Sequence, residues 1–316
     1  MPLSIRKDPE IERRQILSEW NQFLKDPPSS KASADPLYVR MKLAFRHDPS
    51  LVNEFRHTLE RYAPDSEEFK LLLGALAYAG SEEATNALIE SALVKGNDPA
   101  WQTAIAPVLG LSPKPTQASW DYLESIRKNS DDQDLRKGAE LALAGQIKQG
   151  MQSSRSEAFI KEVLGRDASG PEIYSMLDVI GNAAIETEMP HLAEWSKRDD
   201  PKLRSAVAES MRQMKSLESE QLLLHLLDDA DIEVRRTAAQ AFHTRVVSAQ
   251  ALPLLLATLK SSRDELLQLS LLETLYRSET VLPGLKANLR DGREGLTLSS
   301  AVRERWLEIE AAAPAG

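Results

Sequence analysis

The sequence predicts an all-α protein built as a helical solenoid, and three observations carry that prediction. A segment recurs: Asp200-Pro-Lys-Leu-Arg-Ser-Ala-Val-Ala-Glu-Ser-Met returns from Asp231 as Asp-Ile-Glu-Val-Arg-Arg-Thr-Ala-Ala-Gln-Ala-Phe. Such a repeat, made of two helical patterns within roughly 30 to 45 residues, marks units that bury their apolar faces only against neighbours. Apolar residues elsewhere recur at three- and four-residue steps between Gly, Pro and Asp stops, without the alternation of a strand. Aromatics are only 5% of the chain, so Leu, Ala, Ile and Val must fill the interior, as stacked helices allow. The expected architecture is a right-handed α-α superhelix of about seven helix pairs with helical caps.

Taken in order, Asp8 to Lys25 forms one helix with Ile11, Ile16, Leu17, Trp20 and Leu24 on one face. Asp26-Pro-Pro-Ser-Ser-Lys-Ala-Ser-Ala-Asp35 is read as a loop, with Asp35-Pro36 as cap and first turn of the next helix. Asp48-Pro49 opens a third helix with Leu51, Phe55 and Leu59. Residues 1–63 are read as an N-terminal helical cap, since they lack the repeated signature. From 64 to 295 the repeat units are laid out in register. Their first helices begin at Asp65, Asp98, Asp132, near Ser169, at Asp200, at Asp231 and at Ser262. Second helices follow from Ser81-Glu-Glu-Ala, then at 116–127, 157–164, 189–195, 217–227 and 251–259. A final helix, about 297–310, lies in a C-terminal capping segment, 296–316, with Val302, Trp306 and Ile309 on one face.

The residue types suit this geometry. Val234, Ala238, Ala241 and Phe242 fall on one helix face, where small Ala side chains permit close helix approach. Asp98, Asp200 and Asp231 are placed to accept hydrogen bonds from first-turn amides. The Asp-x-x-Leu/Val-Arg-x-x-Val/Ala pattern, clearest over 131–143 and 200–261, resembles HEAT repeats. The resemblance implies that Arg136, Arg204 and Arg235 reach the capping carboxylate of an adjacent unit, as a ladder down the stack. It weakens at Glu172-Ile-Tyr174, where Tyr replaces Arg, at Trp101-Gln102 and at Leu266-Leu267. Leu76-Ala-Tyr-Ala-Gly80 and Val179-Ile-Gly181-Asn182 resemble the helix ends of the vitellogenin-like superhelical branch, with Gly just past the helix.

Composition excludes several classes. A net charge of −9 opposes non-specific nucleic-acid binding. The absence of Cys removes disulfides, thiolate metal sites and a Cys nucleophile. No apolar run reaches the roughly 20 residues of a membrane helix, and Met1-Pro-Leu-Ser-Ile-Arg-Lys-Asp has no signal-peptide core, so a soluble cytoplasmic protein is expected. None of His47, His57, His191, His225 or His243 precedes a Glu, which argues against the di-iron hydroxylases of this shape. His225 and Asp228 have ligand-like spacing but no third ligand. Ser125-Ile-Arg-Lys128 matches Ser-x-x-Lys formally, and common phosphate cradles are missing.

No cofactor, metal or catalytic group is therefore expected. The resemblance implies a non-enzymatic scaffold or adaptor that holds a protein or peptide on its concave face. Glycosylase-like or bilin-lyase-like activity in the same groove, with Glu209 near Arg212, is the enzymatic alternative, and carriage of an apolar ligand is the third. Transferring the line Arg236, Gln240, His243 to earlier repeats gives Leu71, Ala75 and Tyr78, then Lys137, Leu141 and Ala144, then Ser175, Val179 and Asn182. The partner-binding residues expected are Leu71, Ala75, Tyr78, Lys137, Leu141, Ser175, Val179 and Asn182, because these lines are more apolar than exposure favours.

Overall fold

A computed structural model describes residues 9–25, 31–96, 98–245, 247–278 and 298–312. Its regular elements are helices, with no strand among the described residues. The chain forms two compact units, 1–162 and 163–316, so the division falls within the stretch read as one continuous array.

The first unit contains α1 (Pro9–Lys25), α2 (Lys31–His47), α3 (Pro49–Leu59), α4 (Glu67–Ala77), α5 (Glu82–Val94), α6 (Pro99–Gly110), α7 (Gln117–Asn129), α8 (Gln133–Lys148) and most of α9 (Ser154–Leu164). Here α2 packs on α4, α4 on α6 and α6 on α8, while α3 packs on α5 and α5 on α7. From α2 to α8 each helix thus meets a helix two places along as well as a sequence neighbour, which is how a solenoid buries its units. The pair α2–α3 stacks on α4–α5 in the same manner. Helix α2 starts at Lys31, so Asp35 and Pro36 lie inside it instead of opening it.

The second unit contains α10 (Glu172–Ala183), α11 (Met189–Trp195), α12 (Pro201–Ser210), α13 (Leu217–Leu226), α14 (Ile232–Phe242), α15 (Leu252–Ser261), α16 (Glu265–Arg277) and α17 (Ser300–Ala312). The series α10, α12, α14, α16 and α17 packs neighbour on neighbour. Trp120, Trp195 and Trp306 are buried, as their helix positions predict. Ala238 and Ala241 are buried with Val234 and Phe242 on α14.

Capping follows the sequence closely. Asp48, Asp98, Asp132, Asp200 and Asp231 accept first-turn amides, and Ser81, Thr116 and Ser216 do the same for intervening helices. Three starts differ: α4 is capped by Ser66 instead of Asp65, α16 by Asp264 instead of Ser262, and α10 begins after Pro171 with no side-chain cap.

Two glycine roles separate cleanly. Gly80 has φ +69 and ends its helix in the left-handed region, as expected. Gly181 lies within α10, and a Cβ there would come within 2.8 Å of Ser210 Cα, so it serves close helix contact. The left-handed residue ending α10 is Ala184, at φ 52 and ψ 51. Gly110 on α6 and Gly145 on α8 also sit at a backbone-to-backbone crossing, where a Cβ on Gly145 would fall 2.5 Å from Gly110 O.

Candidate functional site

The arginine ladder is built differently from the one expected. Arg136, Arg204 and Arg235 each donate from Nη1 to the carbonyl six residues earlier: Ser130 at 2.6 Å, Arg198 at 2.8 Å and Asp229 at 2.5 Å. Gln268 does the same to Ser262 O at 2.8 Å. The conserved-looking spacing therefore serves a clasp that closes each unit's own entry turn. The links between units are other bonds. Tyr174 Oη donates to the α12 cap Asp200 at 2.9 Å, so the Tyr that breaks the pattern still makes a rung. Arg204 also forks onto Asp229 at 2.7 and 2.8 Å, and Arg236 forks onto the α16 cap Asp264 at 3.0 and 2.5 Å. These hydrogen bonds hold Asp200, Asp229 and Asp264 below the ordinary carboxylate range, through Tyr174, Arg204 and Arg236 respectively.

Exposure along the first unit's stacked helices has one register. The solvent-facing positions are Pro36, Val39, Leu43 and Arg46 on α2, then Glu67, Lys70, Gly74 and Tyr78 on α4. They continue as Ala100, Thr103 and Pro107 on α6 with Leu111 at its end, and as Asp134, Lys137, Leu141 and Lys148 on α8. The three- and four-residue steps keep each line on one helix face. Cross-helix contacts fix how the lines align. The Tyr38 ring lies 3.2 Å from where a Gly74 Cβ would sit, Arg46 donates to Ala79 O at 2.7 Å, and Gly110 meets Ala142 and Gly145. The third positions, Leu43, Gly74, Pro107 and Leu141, are the apolar ones of their lines, and the Tyr38 contact sets Gly74 nearer the level of Val39 than of Leu43. Leu43 is 41% exposed, Val39 44% and Leu111 49%, and Leu141 is half-buried.

The equivalent positions of the second unit are Asp178, Glu209, Gln240 and Glu273. Their charges are answered internally. Arg212 pairs with Glu209 at 2.5 Å, His243 Nε2 donates to Ser270 O at 2.8 Å, and Arg305 reaches Glu273 at 3.1 Å. This face holds Glu209 beside Arg212, but among the described residues no group of three His, Asp or Glu could hold a metal ion.

The expected site residues divide accordingly. Lys137 is exposed, and Tyr78, Leu141, Ser175 and Asn182 are half-buried. Leu71, Ala75, Val179 and Ala144 are buried, so the expected open lines through them are corrected to Lys70, Gly74 and Asp178, and on α8 to Lys137, Leu141 and Lys148. The step from Asp231 to Arg236 and Gln240, counted from Asp65, gives Lys70 and Gly74, so the expected line through Leu71 and Ala75 is set one residue late. The α10 error arises where no side-chain cap anchors the count. Ser175 accepts from Arg166, and Asn182 donates to Asp178 O and accepts from Arg212. These three residues belong to the second unit and the other five to the first.

A pocket of about 520 Å³ also lies in the second unit, among Lys215, Ser216, Leu217, Glu220, Arg245 and Ser248. Its polar groups are largely engaged: Glu220 accepts from Ser248 N and Oγ, while Arg245 donates to Met211 O, Ser216 O and Ser219 Oγ. Burial pulls the Arg245 pKa down from its ordinary value, while its three hydrogen bonds tie the turns together.

The stacked pairs and their clasps form a HEAT-like helical-repeat architecture. Residues 189–276, from α11 through α16, match the family model of HEAT repeats. Among solved structures, human deoxyhypusine hydroxylase in complex with glycerol is similar at 17% identity and a TM-score of 0.34, over 86% of this chain and 98% of that one. No curated protein matches the sequence. That similar structure bears the name of an enzyme, which overturns the step from repeat architecture to a non-enzymatic scaffold. The likeness carries no activity over to this chain. No described helix is long and apolar enough to cross a membrane.

Proposed function

We propose that the first unit recognises a segment of a protein partner on the exposed line of α2, α4, α6 and α8. The observation that carries this reading is the set of apolar positions Leu43, Gly74, Pro107 and Leu141, with Val39 and Leu111 beside them. The apolar side chains left in water on α2 and α8 and at the end of α6 gain roughly 25 cal/mol per Å² when covered. The second unit supplies the contrast, since its equivalent positions are polar and ion-paired. HEAT repeats commonly mediate protein interactions, which agrees with this reading. Leu43, Lys70, Gly74, Tyr78, Lys137 and Leu141 are the residues assigned to contact.

The test compares the intact chain with a Leu43→Asp/Leu141→Asp variant as affinity baits in extract of the source cell. Proteins held by the parent and lost by the variant, at equal melting temperature, support the reading. Retention of the same proteins by both baits contradicts it.

A further inference from the structure

We infer that the partner lies on this face as an extended segment and donates one of its backbone N–H groups to the carbonyl of Thr103. The inference rests on the reading above and adds the conformation of the partner.

Its basis is where the prolines stand. Pro49, Pro99, Pro190, Pro201 and Pro253 occupy the first turn of their helices, where a missing N–H costs nothing. Among the described residues two prolines lie inside a helix, Pro36 in α2 and Pro107 in α6, and both are exposed on the solvent-facing lines of the first unit. Helix α6 runs from Pro99 to Gly110 straight through Pro107. Pro107 has no N–H, so the carbonyl four residues back, that of Thr103, loses its helical donor and is crowded by the proline ring. Residues 103 and 107 are both exposed and lie on one side of α6, so this acceptor opens on the face itself, beside the Pro107 ring and short of Leu111. A breach of a local rule on an exposed helix, with no packing to explain it, is what a functional site shows.

The acceptor selects the partner's conformation. Open to solvent, the Thr103 carbonyl bonds water; covered by a partner seated on Pro107 and Leu111, it needs a donor, because a buried unpaired carbonyl opposes binding. A helix keeps the N–H groups of its middle in its own bonds and frees only those of its first turn. An extended segment offers an N–H at every residue. Length separates the two as well. Helices pack about 8–10 Å apart, so four of them span roughly 25–30 Å, which eight or nine extended residues cover and a helix covers with about 17–20.

The experiment is selection of random 16-residue peptides displayed on phage against the immobilised full chain, with removal of binders that also hold Leu43→Asp/Leu141→Asp. The tightest peptide is synthesised with an N-methyl group at each residue in turn. One position is expected to cost on the order of tenfold in affinity for the parent and little for Pro107→Ala, in which residue 107 regains an N–H and closes the Thr103 carbonyl. Truncation to about nine residues is expected to keep binding. Pro107→Ala is expected to melt no lower than the parent, and should it melt lower, the methyl scan on the parent alone still decides. Peptides that need Leu43 and Leu141 but tolerate every N-methyl group, lose the same factor on both chains, or bind as a helix would overturn the inference while leaving the binding face standing. A selection that yields no peptide dependent on Leu43 and Leu141 would overturn the face itself, and the inference with it. Concentration-dependent self-association of the parent, abolished by the Leu43→Asp/Leu141→Asp change, would identify a second copy as the occupant and overturn the inference too.

Discussion

Replacing Gly145 by Ala and Gly138 by Ala, about two turns apart on the same helix, should move stability in opposite directions. Both lie within α8, where Ala is favoured over Gly by about 1 kcal/mol. At Gly138 nothing lies within 4 Å of the added Cβ, so the propensity gain stands alone. At Gly145 the Cβ would fall 2.5 Å from Gly110 O and 3.1 Å from Gly110 C, both backbone atoms of α6. No side-chain rotation relieves that contact, so the helices must part by somewhat under ~1 Å, and overpacking of this kind costs about 1–3 kcal/mol or more. Taking the upper end, since both partners are backbone, Gly145→Ala should lose about 2 kcal/mol net. For a unit of this size, where 1 kcal/mol is about 2–4 °C, the melting temperature should fall by ~4–8 °C, while Gly138→Ala should raise it by ~2–4 °C. Differential scanning calorimetry with urea titration at constant m measures both. Equal stabilisation by the two changes would show that the α6–α8 crossing is not as close as described.

Ala184→Gly should stabilise the second unit by about 1 kcal/mol, because Ala184 holds φ 52, where Gly is not penalised; a thermal melt decides it. Ala238→Arg should be among the most damaging single changes, costing several kcal/mol by overpacking or unpaired burial. Arg235→Ala should cost about 1 kcal/mol, since it removes bonds to Asp229 O and Ala230 O, and urea midpoints rank the pair. Asp229 and Asp264 have depressed folded pKa values, so their contribution is present above the unfolded carboxylate pKa of about 4 and is lost as pH falls through the folded values. Melting temperature of the parent should thus drop below about pH 4 more steeply than that of Arg204→Ala/Arg236→Ala. Leu71→Asp and Ala75→Asp should each destabilise by several kcal/mol, whereas Leu43→Asp should stay within about 0.5 kcal/mol of the parent in the same melts.

The helical class and most starts were legible because short polar side chains mark them locally: Asp98, Asp132, Asp200 and Asp231 cap where their spacing says they should. The division at residue 162 was not legible, since α9 runs across it without a Gly or Pro break. Long side chains misled where several carbonyls lay in reach. An Arg at a fixed place in each unit looked like a link to the next, yet Arg136 and Arg235 fold back six residues, and Tyr174 and Arg236 make links instead. Gly181 looked like a helix end because a polar Asn follows it, but the tight constraint is the passing backbone of Ser210, which sequence alone does not reveal. The candidate face failed by one residue on α4, where counting from Asp65 falls on Lys70 and Gly74 but the expected line ran through Leu71 and Ala75; the burial of Phe69 and Leu72 fixes the helix rotation.

The central claim is that a protein segment lies along Leu43 and Leu141, and photo-crosslinking tests it most directly. A benzophenone amino acid placed at 43, at 141 or at the equivalent second-unit position, 240, is irradiated in the source cell. The account predicts one shared protein adduct from positions 43 and 141 and none from 240. Adducts from 240 alone, or none from 43 and 141 in chains that melt like the parent, would contradict it.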